Sequence, residues 1–289
     1  MIVRFGTPTG SALGYLAEGF VHLLPFRSIG EFARTDGAWS WSESTRRSLG
    51  TFDPRELELL APVDDYMEVW GAGVTYLRSL EAREEESESS RDIYSRVYDA
   101  PRPELFFKGL GWRAGGSGSV VTLRTDSYNC VPEPELALLV SPTGAIAGLT
   151  VCNDLTARDI ESENPLYLPQ AKIWLGSCIL GPGIVPTREI SDPYALEITM
   201  SIVRGSDTVF EGSSNTARLR RRLDELALAA LRDQPQPNGF LLSTGTPIVP
   251  PWEFALAAGD TVSITIESVG TLSHSIGLPD HAPSTDLRP

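Results

Sequence analysis

The chain has 289 residues, 41% of them hydrophobic, which is enough for one large domain or a large domain with a small one. Its formal net charge of −14 argues against nucleic acid and anionic membranes as partners, because both bind basic surfaces. No run approaches the ~18 apolar residues that span a bilayer, the N-terminus lacks a signal-peptide core, and three cysteines form no CxxC pattern, so we expect a cytoplasmic protein.

Two units are predicted along the chain. Residues 1–65 read as a small β-rich N-terminal domain, because IVRF and residues 21–24 are typical of short strands. Pro62 lies near the expected boundary. Residues 66–289 form the predicted catalytic domain.

The first part of that domain mixes strands with loops. MEVWGAGVTY (67–76) predicts a strand that runs into a turn, and PELFFKG (103–109) predicts a short strand. Between them, residues 76–97 are charged and helix-prone, and the Glu- and Ser-rich part 81–97 is either a surface helix or a lid that orders over bound substrate. The glycine-rich stretch 109–119 lacks the GK[ST] ending of a phosphate-binding loop, and we expect a flexible flap there.

Strands also dominate the rest of the chain. The candidates are VVTLR, PELALLV, AIAGLTVCND, GFLLSTG and DTVSITIESVG. Because helices do not alternate regularly with these strands, the pattern favours a strand-dominated α+β fold built on antiparallel or mixed sheets.

One amphipathic helix is predicted over residues 216–234. Its apolar residues recur at steps of four, three and four. They are Leu219, Leu223, Leu226 and Ala230. A polar residue within 214–216 can cap the start, and Pro235 and Pro237 follow the end.

Three acidic residues form the candidate chemical centre. Glu133 and Glu135 are two apart in a predicted strand, so their side chains point the same way, roughly 6.5–7 Å apart. Like charges beside an apolar run are costly unless a cation lies between them. A divalent ion with Asp154 as third ligand would satisfy this. Oxygen ligands favour Mg²⁺, or else Mn²⁺ or Ca²⁺, over zinc. The alternative is that these acids only pair with arginine.

Two cations follow this centre in the sequence. Arg158 lies four residues after Asp154, so one helical turn would place both on the same side. It would then orient a metal-bound carboxylate or the substrate acid. Lys172 lies in an apolar setting, where it fits an electrostatic anchor or a proton carrier. Taken alone, Lys172 also fits a surface lysine.

An ordered series of motifs from about residue 67 to the end resembles the fumarylacetoacetate hydrolase superfamily. The order of the motifs is far more specific than any one of them. They are GAGVTY (71–76), PELFFKG (103–109), PEPELALLV (132–140), NDLTARDIE (153–161), QAK (170–172), LGPGIVP (180–186), TGT (244–246) and GDTVSITIESVGTL (259–272).

This resemblance implies a fold and a set of site residues. The implied fold is a mixed β-sandwich roll, assembled as a homodimer or homotetramer. The metal ligands it implies are Glu133, Glu135 and Asp154. The catalytic residues it implies are Lys172, Glu104 and Arg158. The substrate-binding residues it implies are Thr246, Thr271, Phe106 and Glu161.

One departure from the superfamily pattern bears on the reaction. The hydrolases of this superfamily share a helix that follows a GxNY motif and carries a water-activating histidine. Here GVTY is followed by LRSL, and no histidine occurs between His22 and His274. We assign no catalytic role to His274 or His281. Residues 74–108 and ENPLYLPQAK (163–172) instead resemble the superfamily's 2-keto-3-deoxy-pentonate dehydratases.

The resemblance therefore implies an Mg²⁺-dependent hydro-lyase of sugar acid catabolism. A small 2-keto acid, a 2-keto-3-deoxy-pentonate, would lose water through a metal-stabilised enolate and give a 2,5-dioxo acid such as 2,5-dioxopentanoate. Glu104 or Lys172 would remove the proton from C3.

Two alternatives stay open at this point. The same scaffold fits a metal-dependent hydrolase of the acylpyruvate or fumarylacetoacetate type, or an oxaloacetate decarboxylase. A non-catalytic 2-keto acid binding protein is the alternative of another class. The two enzyme hypotheses differ in the bond that breaks, since the hydrolase and the decarboxylase cleave C–C bonds.

Overall fold

The structure is a computed structural model that describes residues 1–35, 49–86 and 91–278. The strands are β1 (Ile2–Thr7), β2 (Gly10–Ala17), β3 (Phe20–Leu23), β4 (Thr51–Phe52), β5 (Leu59–Leu60), β6 (Glu68–Gly73), β7 (Glu104–Leu110), β8 (Val120–Thr122), β9 (Cys130–Val131), β10 (Pro134–Val140), β11 (Ile146–Asp154), β12 (Thr156–Ala157), β13 (Cys178–Pro186), β14 (Glu197–Arg204), β15 (Asp207–Asn215), β16 (Phe240–Ser243), β17 (Asp260–Ile266) and β18 (Gly270–Gly277). The α-helices are α1 (Ile29–Arg34), α2 (Leu77–Glu86), α3 (Arg91–Asp99), α4 (Arg158–Glu163), α5 (Leu168–Lys172) and α6 (Leu223–Leu231). In the described part of the chain, no helix is both long and apolar enough to cross a membrane.

The main sheet has eleven strands. Their order is β4-β3-β2-β1-β13-β11-β10-β16-β6-β7, with β5 paired to β1. β10 lies near the middle and is buried along its whole length. Leu136 and Leu138 pack into the core on one face, and Ala137 and Leu139 pack into the core on the other. An uninterrupted apolar run such as PELALLV is typical of a strand covered on both faces.

A second sheet of five strands covers one face of the main sheet. Its order is β15-β14-β17-β18-β8. In β14 the buried residues alternate with exposed ones, so Ile198, Met200 and Ile202 point into the core shared with β10 and β11. The predicted strand-dominated α+β class with mixed sheets packed as a sandwich is confirmed.

The N-terminal strands extend the main sheet. β1 pairs with β13 through Ile2 and Ile184, and β2, β3 and β4 continue outward from it. Ile29 and Phe32 of α1 pack with Leu139 of β10 in the second core. The region 1–65 is therefore joined to the central strands by both hydrogen bonds and packing. The division of the chain into domains 1–65 and 66–289 stays a prediction.

The predicted helix over residues 216–234 begins later than expected. Residues Thr216–Arg218 form a 3₁₀ turn capped by Asn215, and the helix α6 starts only at Leu223. The intervening backbone is held by tertiary contacts, because the Arg220 N–H donates to the Thr75 carbonyl and Leu219 bridges Tyr76. These long-range bonds override the local helical pattern. The predicted end is correct, since α6 stops at Leu231, before Pro235 and Pro237.

Candidate metal centre and active site

The acidic triad is assembled by the pairing of β10 with β11. Glu135 lies opposite Cys152, and the backbone N–H of Asp154 donates to the carbonyl of Glu133 at 3.0 Å. Residues two apart on a strand share a face, so Asp154 projects on the side of Cys152 and meets both glutamates. One carboxylate oxygen from each of the three acids lies within 4.8 Å of the others.

Burial makes the ionisation of these acids uneven. Glu133, Glu135 and Asp154 are only 4%, 3% and 1% exposed. Desolvation, reinforced by the nearby charge of Asp154, raises the pKa of Glu135 well above its ordinary value. Desolvation alone would also raise the pKa of Asp154, but two lysine ammonium groups hold that pKa below its ordinary value. The site therefore carries one carboxyl group that the protein alone stabilises poorly as an anion.

Lys172 bridges the triad at the end of α5. Its Nζ lies 2.6 Å from Oε2 of Glu133 and 3.0 Å from Oδ2 of Asp154, and it donates to the Thr156 hydroxyl at 2.6 Å. The ammonium also lies 5.5 Å from the centre of the Phe106 ring. Lys172 is thus a buried cation in direct contact with two of the predicted metal ligands.

Lys108 is a second buried cation, which the sequence reasoning missed. Its Nζ lies 2.5 Å from Oδ1 of Asp154 and donates to the carbonyl of Leu155 at 2.9 Å. A signal for it was present in β7, where Glu104, Phe106 and Lys108 occupy alternate positions and so share one face of the strand. The alternation that pairs Glu133 with Glu135 could have found Lys108.

Glu135 is held by neutral donors instead of lysine. Oε2 of Glu135 accepts from the Ser243 hydroxyl at 2.5 Å and from the N–H of Gly245 at 2.8 Å. Gly245 has φ = +94°, and a Cβ there would lie 2.0 Å from the Thr75 hydroxyl oxygen. The TGT motif therefore needs glycine at this position to bring a backbone N–H to the carboxylate.

The triad opens on a small cavity of about 30 Å³, enough for about two water molecules. Ser79 of α2 and Tyr94 of α3 form part of its wall. Of the segment predicted as a surface helix or lid, Tyr94 therefore contributes to the cavity wall, and residues 87–90 lie outside the described residues.

Most of the predicted substrate-contacting residues line this cavity. Glu104, Phe106, Glu161, Lys172 and Thr246 all do so. Thr246 was expected to offer its hydroxyl to the substrate. In the structure this hydroxyl lies 3.0 Å from the carbonyl oxygens of both Pro134 and Ile248. The hydroxyl is therefore engaged by backbone acceptors and anchors the loop after β16.

Arg158 contacts a loop near the site. It is 1% exposed and is not among the residues that line the cavity. Its guanidinium donates to the carbonyls of Pro250, Pro251, Trp252 and Phe254, at 2.8–3.1 Å. These bonds anchor the 250–254 loop, and the catalytic role of Arg158 stays a prediction.

The substrate contact of Thr271 stays a prediction, and Thr271 is not among the residues that line the cavity. Thr271 lies on β18 in the second sheet, is exposed, and shares a hydrogen bond with Thr265 at 2.9 Å. The neighbouring Leu272 is fully buried and faces the main sheet. Strand alternation therefore turns Thr271 outward, away from the triad.

His274 supports the triad from behind. Its Nε2 lies 2.8 Å from Nδ2 of Asn153, and Oδ1 of Asn153 accepts from the N–H of Glu133 at 3.0 Å. Because the amide nitrogen can only donate, Nε2 accepts and the ring is neutral. Burial lowers the pKa of His274 to about 4. His274 thus lies outside the cavity and links β18 to a metal-ligand backbone. His281 lies outside the described residues.

The donor set suits a hard divalent cation. Three buried carboxylates converge, and the ammonium of Lys172 already bridges Glu133 and Asp154, which shows that these oxygens meet around positive charge. Among the described residues, the group of convergent ligand atoms contains oxygens and no sulfur. The thiol of Cys152 instead contacts the thiol of Cys178 at 4.0 Å. This contact and burial raise the pKa of Cys152 well above its ordinary value. Oxygen-only ligation favours Mg²⁺ or Mn²⁺ over zinc.

Comparisons with known proteins agree with this geometry. The chain is 45% identical over 227 residues to the 2-dehydro-3-deoxy-D-arabinonate dehydratase of Saccharolobus solfataricus, covering 78% of this chain and 76% of that protein. It is 46% identical over 212 residues to a probable 2-keto-3-deoxyxylonate dehydratase of Haloferax volcanii, covering 73% of each.

A solved structure shares the whole fold. The 2-keto-3-deoxy-D-arabinonate dehydratase complexed with magnesium and 2,5-dioxopentanoate superposes with a TM-score of 0.80 at 35% identity, over 97% of this chain and 99% of that one. The family model for the fumarylacetoacetate (FAA) hydrolase C-terminal domain matches residues 68–277. The resemblance found in the sequence motifs is thereby confirmed, and this chain belongs to the fumarylacetoacetate hydrolase family.

Proposed function

We propose that this protein is a Mg²⁺-dependent hydro-lyase that converts a 2-keto-3-deoxy-pentonate into 2,5-dioxopentanoate. The observation that carries the proposal is the triad of Glu133, Glu135 and Asp154, buried beside Lys172 and opening on a cavity. The names of the two curated relatives and the product bound in the related structure support the same reaction.

The residues divide into metal-holding and proton-handling groups. Glu133, Glu135 and Asp154 would hold the ion, which supplies a Lewis acid for the keto and carboxylate oxygens of the substrate when bound. Lys172 places a positive charge next to carboxylate oxygens of Glu133 and Asp154. At this position the charge favours negative charge that develops on a substrate bound at the triad. The 2-keto acid end therefore docks at the triad.

Glu104 is the proposed acid and base. Its carboxyl group lies on the cavity wall, on the same strand face as Phe106. Glu104 takes the proton from C3 and returns it to the hydroxyl that leaves from C4, so that water departs. The elimination product has a C3–C4 double bond and a C5 alcohol, and it isomerises to the C5 aldehyde. C3 and C4 each gain one hydrogen, and C5 and its hydroxyl each lose one. The net change is the loss of one water.

The cavity lining favours elimination over hydrolysis. Among the described residues that line the cavity, no histidine occurs that could activate water for C–C cleavage. His274 faces Asn153 from the other side of the strand pair. The titratable cavity-lining groups that are not proposed as metal ligands are Tyr94, Glu104, Glu161 and Lys172, and we assign proton transfer to Glu104 and Lys172 among them.

An assay with purified protein tests this function. Each enantiomer at C4 of 2-keto-3-deoxypentonate is incubated with Mg²⁺, and the aldehyde product is followed by proton NMR. We expect one enantiomer to give 2,5-dioxopentanoate, and activity to disappear on removal of Mg²⁺ with EDTA and return when Mg²⁺ is added back. Products of C–C cleavage, or no turnover of either enantiomer with Mg²⁺ or Mn²⁺, would contradict the proposal.

We further propose that the protein acts in sugar acid catabolism in the cytoplasm as a homodimer or homotetramer. All three cysteines are unpaired and buried, which fits a reducing compartment. Light scattering coupled to gel filtration measures the assembly directly. A mass near 31.4 kDa, that of one chain, would exclude the oligomer.

A further inference from the structure

Lysine occurs at only two positions in this chain. Of its 24 lysine and arginine residues, Lys108 and Lys172 alone are lysines. Both are buried, at 2% and 3% exposure, and both contact Asp154. Arginine presents a planar fork of donors, whereas lysine presents a compact point charge. The restriction of lysine to these two positions indicates that the site needs two compact ammonium groups.

The contacts of Lys108 suit positioning and not proton transfer. Its Nζ donates to the carbonyls of Leu155 and Lys172, and it pairs with Oδ1 of Asp154. Two of the ammonium protons are donated to the two carbonyl oxygens, and the contact with Oδ1 of Asp154 is an ion pair. Lys108 does not line the cavity, so it does not touch a substrate held there.

These three contacts fix two parts of the site at once. Because Lys108 holds Oδ1 of Asp154, the other oxygen, Oδ2, is turned to Lys172 and the triad. The bond from Lys108 to the carbonyl of Lys172 fixes the end of α5, from which the Lys172 side chain reaches Glu133. A single buried ammonium therefore orients both a metal ligand and the cation on the cavity wall.

We propose that Lys108 is a positioning residue of the metal centre, which sets the orientation of Asp154 and of Lys172. This inference rests on the divalent ion of the proposed function. Charge and orientation act in opposite directions here, which makes the inference testable. As a charge alone, Lys108 repels the ion, so its removal would tighten binding; as an orienting group, its removal weakens binding.

The first test compares Mn²⁺ binding by calorimetry in the wild type, Lys108→Met and Lys108→Arg. We expect both variants to bind Mn²⁺ at least about tenfold more weakly, as is typical when the partner of a metal ligand is lost. The Arg variant keeps the charge, but its planar guanidinium does not match three oxygens around one nitrogen. Equal or tighter binding by Lys108→Met would overturn the inference.

A matched control is available in the second sheet. Arg204 pairs with the fully buried Asp260 at 2.7 Å, so Arg204→Met removes a cation from another buried aspartate outside the cavity. We expect its Mn²⁺ affinity to equal that of the wild type. A loss in this control as large as in Lys108→Met would mean that general destabilisation explains the result and would overturn the inference.

A second measurement needs no Lys108 variant. Wild-type protein labelled with ¹³C at the lysine Cε gives two lysine signals, because the chain has two lysines. Lys172→Arg assigns them. On titration with Mg²⁺ we expect both signals to shift with the same midpoint, and an unmoved Lys108 signal would overturn the inference. If the wild type binds no divalent ion, both the proposed function and the positioning role of Lys108 are contradicted. If the wild type and Lys108→Met bind the ion equally well, only the positioning role of Lys108 is contradicted.

Discussion

Glu135 is the carboxylate that the protein's own groups support least. Glu133 and Asp154 each contact a lysine ammonium, whereas among the described residues Glu135 accepts from the Ser243 hydroxyl and the Gly245 N–H. Its raised pKa follows from this difference and from burial. A divalent ion is the partner that would make its ionised form favourable.

The substitution Glu135→Gln tests this residue directly. Glutamine keeps the shape and accepts the same two hydrogen bonds but loses the charge. We expect Mn²⁺ affinity to fall by more than about 100-fold, beyond the loss typical of an outer partner of a ligand. Calorimetry measures it, and Glu211→Gln, at an exposed position on β15, is the control expected to bind normally. Unchanged affinity in Glu135→Gln would remove this residue from the metal centre.

Glu104→Gln separates proton transfer from metal binding. Glu104 lines the cavity but lies outside the triad, so we expect Mn²⁺ affinity to stay within about threefold of the wild type. The turnover number should fall by about 10²–10⁴-fold, the range for loss of a general acid or base. Steady-state kinetics at saturating Mg²⁺ measures this. Full activity would shift the proton-transfer role to Lys172.

Within single elements, strand alternation let the sequence predict which side chains of the site share a face. It placed Glu133, just before β10, and Glu135, within β10, on one side of the chain, and Asp154 joined them through the register of β11. The same rule applied to β7 would have found Lys108, and applied to β18 it turns Thr271 to the face opposite Leu272.

Long-range contacts account for the parts that the sequence could not supply. Arg158 turns to carbonyls more than 90 positions away, and no local pattern encodes that choice. The late start of α6 has the same origin, since Arg220 and Leu219 bond to residues near Thr75. Helical periodicity alone cannot report such competition.

The helix pair α2 and α3 contributes Ser79 and Tyr94 to the cavity wall. The end of α3 is held by Arg221, whose guanidinium donates to the carbonyls of Val97 and Ala100 at 3.1 and 2.6 Å. Hydrogen bonds from a charged group contribute about 1.5–3 kcal/mol each. Opening of the cavity therefore competes with these bonds.

Arg221→Met should loosen this cover. We expect amide hydrogen exchange in residues 91–99 to accelerate by at least about tenfold, and Mg²⁺ with a 2-keto acid to slow exchange in the wild type. Mass spectrometry of exchanged peptides measures both effects. The control is Arg188→Met, at an exposed position in the 3₁₀ turn Thr187–Glu189. Equal exchange in Arg221→Met and the wild type would show that Arg221 does not hold α3.

At the scale of the whole molecule, His274 connects the two sheets. It projects from β18 into the sandwich and accepts from Asn153 of β11. Its pKa is about 4 in the folded protein against an ordinary value of 6.5. Acid therefore protonates the unfolded chain first, and the free energy of unfolding falls as the pH drops from about 6.5 towards 4.

His274→Gln should reduce this dependence on pH. From the two pKa values, the histidine lowers the free energy of unfolding by about 2 kcal/mol between pH 7.5 and pH 5, and the variant should lack that contribution. Urea unfolding of both proteins at the two pH values measures the difference. His22→Gln, at a half-buried position in β3, is the control for loss of a histidine side chain elsewhere in the protein. Identical changes in wild type and His274→Gln would mean that His274 does not titrate as its burial requires.

The central claim is that three acids from two neighbouring strands hold one divalent ion above which a 2-keto acid reacts. Anomalous diffraction from crystals soaked with Mn²⁺ and pyruvate locates that ion directly. We expect a single strong peak within about 2.0–2.3 Å of oxygens from Glu133, Glu135 and Asp154, with the keto acid completing its shell. A peak elsewhere, or density for keto acid in the cavity with no ion between the three carboxylates, would contradict the account.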